Sequence, residues 1–91
     1  MGLRKLEVSD FGRDVNAAIL AGMGVRRLSA TSLAHQIGRS PTYVQERTRL
    51  EKEWALSDIA RICDAWHISR DEFLLQMRVL KTMPQTSDDS P

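Results

Sequence analysis

Four consecutive residues, Gly38-Arg39-Ser40-Pro41, constrain this chain more than any other feature. A glycine just past an apolar helical pattern suits the left-handed residue that terminates a helix. Ser40 then offers its oxygen to an orphan N–H of a new helix. Pro41 takes the first helical position, where a missing N–H costs nothing. One helix must stop and another start across a turn of about three residues, Gly38 to Ser40, the spacing of a helix-turn-helix. Upstream, Ser29 reads as an N-cap for a short helix from Ala30 to Ile37 that turns Leu33, Ala34 and Ile37 inward. Ala34 is small, so the two helices can approach closely. Downstream, the helix opened by Pro41 is expected to end between Thr48 and Lys52. Val44 is its inward residue, with Tyr43 and Leu50 as further candidates.

The same helical spacing organises the remaining chain. A first helix is expected to begin after Ser9 or Asp10, carry Phe11, Val15, Ala18, Ile19 and Met23 on one stripe, and end at Gly22 and Gly24. Arg26 and Arg27 then fall in the connection. A fourth helix, from Leu56 or Asp58 to Trp66, should bury Leu56, Ile59, Ile62, Cys63 and Trp66. Ser69-Arg70-Asp71-Glu72 is a capping box with Ile68 and Phe73 as its hydrophobic staple, launching a fifth helix through Phe73, Leu74, Met77 and Leu80. Pro84 should stop it, leaving residues 84–91 as a polar, acidic and disordered tail beyond a single domain at residues 1–83.

Composition removes several classes of function. At 91 residues, 42% hydrophobic and 27% charged, the chain suits one globular domain. Its one cysteine, Cys63, permits neither an internal disulfide nor a cysteine-based zinc site, and fits a reducing cytoplasm. His35 and His67 lie 32 positions apart without companion ligands. No apolar run reaches the ~18 residues of a membrane span, and the N-terminus turns polar too early for a secretory signal. Helix capping accounts for Asp71 and Glu72. With no nucleophile, phosphate loop or metal cluster left over, neither enzyme activity nor a cofactor is expected. The net charge is only +1, but residues 26–52 carry six basic residues against two acidic ones, leaving −3 for the rest.

From Leu28 to Val44, the run Leu28-Ser29-Ala30-Thr31-Ser32-Leu33-Ala34-His35-Gln36-Ile37-Gly38-Arg39-Ser40-Pro41-Thr42-Tyr43-Val44 resembles the Cro/repressor-type (XRE-like) helix-turn-helix family. Leu56 to Leu74, with its downstream capping box, is similar to that family's fourth and fifth helices, so the likeness covers roughly residues 9–75 without a gap. It implies an all-α, compact five-helix lambda-repressor-like DNA-binding domain. Its implied function is sequence-specific transcriptional regulation in a bacterial or phage-infected cytoplasm. Three departures stand out. Ala30 replaces a glutamine that touches phosphate in many members. Arg47 takes a usually apolar position, and Leu50 a common glycine, with Trp54 near a frequent proline. They imply either a longer third helix or a differently shaped loop.

A recognition helix of this family presents Pro41, Thr42, Gln45, Glu46 and Arg49 to base edges. Pro41 and Thr42 suit a thymine methyl, Gln45 an adenine, and Glu46 a cytosine amino group. Arg26, Arg27, Arg39, Ser40, Tyr43, Arg47 and Lys52 are the phosphate candidates, Arg39 foremost; the stem of Arg47 and the ring of Tyr43 have packing roles as alternatives. A homodimer is expected, because one module reads only a half-site. Phe73, Leu74, Met77 and Leu80, extended by Met83, form its candidate seam, or else fold back on the first helix. Two other readings remain open: a helix-turn-helix antitoxin with a protein partner, and a domain used for protein interaction alone.

Overall fold

The computed structural model describes residues 8–82, arranged as five helices: α1 (Asp10–Arg26), α2 (Ala30–Ile37), α3 (Pro41–Thr48), α4 (Leu56–Trp66) and α5 (Arg70–Thr82). Met1–Glu7, Met83, Pro84 and the 85–91 tail lie outside the described residues. Ile19, Leu33, Val44 and Ile62 are completely buried, one each from α1, α2, α3 and α4. Each such side chain contributes about 1.5–3 kcal/mol on leaving water. Phe73 and Met77 of α5 complete the core against α1.

Local signals set most helix starts. Ser9 Oγ accepts from Gly12 N–H at 2.9 Å, Ser29 Oγ from Ser32 N–H at 3.1 Å and Ser40 Oγ from Tyr43 N–H at 3.1 Å. Ser69 and Glu72 close the expected capping box, each side chain accepting from the other's backbone N–H at 3.0 Å. Gly38 ends α2 in the left-handed conformation, φ 72°. The Arg39 N–H reaches back to the Ala34 carbonyl at 2.9 Å, and Arg61 Nη1 donates to the Ile37 carbonyl at 3.1 Å.

Three expectations need correction. Gly22 and Gly24 do not end α1; the helix runs through both and stops at Arg27, a left-handed residue with φ 57°. Gly22 instead clears space for the Trp66 ring of α4, and Arg26 belongs to the last helical turn. Phe11 is exposed, and Val8, ahead of the helix, is buried in its stead. Leu56 is 80% exposed. As the first residue of α4 it lies about 120° around the helix from Ile62. Trp54, in the preceding loop, fills the core where Leu56 was expected.

Of the two possibilities for the segment after α3, the loop is observed. The helix closes at Thr48, and Leu50 adopts the left-handed geometry, φ 64°, that glycine would hold. Asn16, buried on α1, fixes this ending. Its Nδ2 donates to the Thr48 carbonyl at 3.1 Å, while its Oδ1 accepts from the Trp54 indole N–H at 3.0 Å.

Candidate nucleic-acid interface

The outward side of α3 is built from a rigid base. Asp58, at 0% exposure on the inner face of α4, is its centre. Its Oδ2 accepts from the Tyr43 hydroxyl at 2.6 Å and from the Ala55 N–H at 3.0 Å; its Oδ1 accepts from Arg39 Nε at 2.9 Å. Burial alone pushes this carboxyl up. The bonds from Tyr43, Ala55 and Arg39 outweigh it and hold the group below the usual carboxylate range. The same contact acts oppositely on Tyr43, whose hydroxyl is pushed up by burial and by the neighbouring carboxylate. One carboxylate thus ties together the turn before α3, the first turn of α3 and the start of α4.

Two guanidiniums cover the Tyr43 ring, Arg39 at 4.6 Å and Arg47 at 3.5 Å from its centroid. Arg39 also reaches Ser57 Oγ at 3.5 Å and remains partly exposed. Arg47 is drawn in much further, with a side chain 14% exposed. Its Nη1 donates to the Tyr43 carbonyl at 3.2 Å and to Glu46 Oε1 at 3.3 Å, and its Nε is buried without a partner. Arg47 is therefore accommodated largely inside the chain by packing its plane on an aromatic face.

On this base α3 presents Pro41 and Thr42 as exposed residues and Gln45 and Glu46 as half-buried ones, with Arg49 exposed just past its end as the C-cap. Glu46 is flanked by Arg47 and, at 3.7 Å, by Lys52 Nζ. Ser40 is occupied as the cap of α3, although its own O–H can still donate. Arg26 lies elsewhere, its guanidinium 4.3 Å above the Trp66 ring and its Nη1 on the Gly22 carbonyl; Arg27, beside it, is exposed. Of the proposed seam residues, Phe73 and Met77 are buried inside the chain, Leu80 is half-buried and Leu74 is exposed.

Sequence reasoning missed Asp58 and Asn16. An acidic residue at the third position of a helix opened by Ala55 is half a capping box, and that was the available signal for Asp58. Asn16 is a polar residue on an otherwise apolar stripe, three positions from Ile19. Among the described residues no group of three or more His, Cys, Asp or Glu side chains could hold a metal ion. No described helix is long and apolar enough to cross a membrane.

An all-α domain in which α2 and α3 form a helix-turn-helix, with α3 braced from behind and open in front, is the class that this fold and face define. No family model and no curated protein matches the sequence. Among solved structures the chain is similar to the clp gene regulator ClgR from Corynebacterium glutamicum, at 25% identity and a TM-score of 0.63, over 71% of this chain and 69% of that one.

Proposed function

We propose that this protein binds double-stranded DNA sequence-specifically through α3 and regulates transcription, as a homodimer on a two-fold symmetric operator in the manner of a phage-type or Cro-like repressor. The observation that carries the reading is the Asp58 anchor. It fixes the first turn of α3 through Tyr43 and Arg39 while Pro41 and Thr42 stay exposed. A helix held at a fixed angle can place its N-terminal residues in the major groove. The likeness to a gene regulator supports the same conclusion.

In this reading Pro41, Thr42, Gln45 and Arg49 meet base edges. Arg27, Lys52 and the free N–H groups of Arg39 meet phosphates and supply the salt-sensitive share of affinity. The test is selection of the purified protein on a randomised duplex pool at low and at physiological salt. Enrichment of a two-fold symmetric site, lost when Thr42, Gln45 and Arg49 are all alanine, is the expected result. Absence of binding even at low salt overturns the proposal.

An apolar groove lined by Phe11, Leu56, Ile59 and Leu74 favours a second reading, an antitoxin-type protein that binds a protein partner as well as DNA. Co-purification of a small second protein that L56E abolishes would support it. A protein-interaction domain alone would show no salt-sensitive DNA binding.

A further inference from the structure

We propose that Arg47 is a positioning residue for DNA binding and not a phosphate contact: seated on the Tyr43 ring, its guanidinium holds and neutralises the Glu46 carboxylate, so that α3 can approach phosphates with an acidic residue on its outward face. This rests on the DNA reading above and adds to it the residue that makes Glu46 tolerable there.

Glu46 lies only about 40° around α3 from Thr42 and about 100° from Gln45, on the arc that faces away from the buried Val44. A bare carboxylate on that arc is repelled by a phosphate backbone. Its Oε1 meets two cations, Arg47 Nη1 at 3.3 Å and Lys52 Nζ at 3.7 Å. The two are not equal. The Lys52 side chain is 58% exposed, and an exposed, flexible pair of that kind contributes little. The Arg47 side chain is 14% exposed and its guanidinium lies 3.5 Å from the Tyr43 centroid, so its charge is held in one place. Tyr43 is in turn bonded to Asp58. One chain of contacts thus runs from the buried carboxylate of α4, through the ring and the guanidinium, to Glu46.

The placement of Arg47 suits neither a phosphate nor stability for its own sake. A guanidinium grips a phosphate bidentately with Nη2 and one of its two other nitrogens. Here Nη1 is spent on the Tyr43 carbonyl at 3.2 Å and on Glu46, and Nε is buried without a partner. Neither fork is open. An apolar side chain of similar length would fill the same space without orphaning a buried donor, and exchanging a buried charge for such a residue is often neutral or stabilising. Packing alone therefore does not account for an arginine at this position, whereas the adjoining carboxylate does.

Binding of the full chain to the duplex enriched in the selection above, measured across a range of salt, tests the proposal. R47M is expected to stay folded, as thermal melting checks, to bind about tenfold more weakly than the wild type, and to keep the wild-type salt slope. R47M/E46Q should bind within about threefold of E46Q alone, because the carboxylate that Arg47 serves has gone. A salt slope reduced by about 1 in R47M would instead mark a phosphate contact. That result, an equal loss with and without E46Q, or no loss at all overturns the proposal. A second measurement needs no variant. The δ-methylene protons of Arg47, shifted upfield in the NMR spectrum by the Tyr43 ring, should stay there when the duplex is added; their return downfield overturns the proposal equally. Failure of the DNA reading shows separately, as a wild type that binds no duplex even at low salt, and it removes this inference with it.

Discussion

The Tyr43 hydroxyl donates a 2.6 Å hydrogen bond to Asp58 Oδ2, and through it the first turn of α3 is fastened to a carboxylate buried in α4. Removing that charge while leaving Tyr43 and Arg39 in place should be severe. D58N is expected to cost about 3 kcal/mol in urea unfolding at neutral pH, the loss typical of breaking a buried charged pair.

The pH dependence follows from the same contact. Asp58 is held below its ordinary carboxylate value in the folded chain. The stability it contributes is present above about pH 4, its unfolded value, and is lost as pH falls through the lower folded one. Tyr43 is pushed up, so its contribution is present below about pH 10 and lost as pH rises through the folded value. Unfolding curves collected from acid to alkaline pH should show the acid limb flattened in D58N and the alkaline limb flattened in Y43F.

Gly22 and Gly24, two of the three glycines inside α1, should respond in opposite directions. A Cβ on Gly22 would run into the Trp66 ring, whereas a Cβ on Gly24 meets nothing within 4 Å. G22A is expected to destabilise by about 1–3 kcal/mol through overpacking. G24A should stabilise by about 0.5–1 kcal/mol, because alanine costs less to order in a helix than glycine. Thermal melts followed by tryptophan fluorescence distinguish them.

Arg27 and His67 both end helices in the left-handed region, each with φ 57° and exposed. Relief of that strain should make R27G and H67G more stable by about 1 kcal/mol each. Under the proposed phosphate role of Arg27, only R27G should also lower DNA affinity and reduce the salt slope by about 1. Paired melting and binding measurements decide whether the two effects separate.

Glu46 gives a test within the reading face. Its carboxylate is held by Arg47 at 3.3 Å and Lys52 at 3.7 Å. E46Q is expected to free Lys52 for phosphate, tightening binding to every duplex and steepening its salt dependence by about one counterion. Loss of preference for one selected base pair, with no general tightening, would instead mark Glu46 as a base reader.

Helix α2, the turn after it and the start of α3 were legible in residue types alone. Ser29, Gly38, Ser40 and Pro41 act on backbone groups within four positions, so nothing distant is required to interpret them. The Ser69–Glu72 box was legible for the same reason. The end of α1 was not. A glycine weakens a helix locally by at most about 1 kcal/mol, and packing of Trp66 against Gly22 outweighs that. The face of Leu56 and the bend at Leu50 were likewise set from a distance, by Trp54 entering the core and by Asn16 binding Thr48 and Trp54 across more than 30 positions. The sequence by itself therefore determined that the chain is helical, where α2 and α3 meet, and which residues lie on α3 and at its two ends. Tertiary structure alone decided which of them are free to act: Arg47 is folded onto Tyr43, Arg39 is tied to Asp58, and Thr42 and Arg49 are left in solvent. Capping is a short-range effect written in neighbouring residues, whereas burial and ion pairing depend on which helices come together.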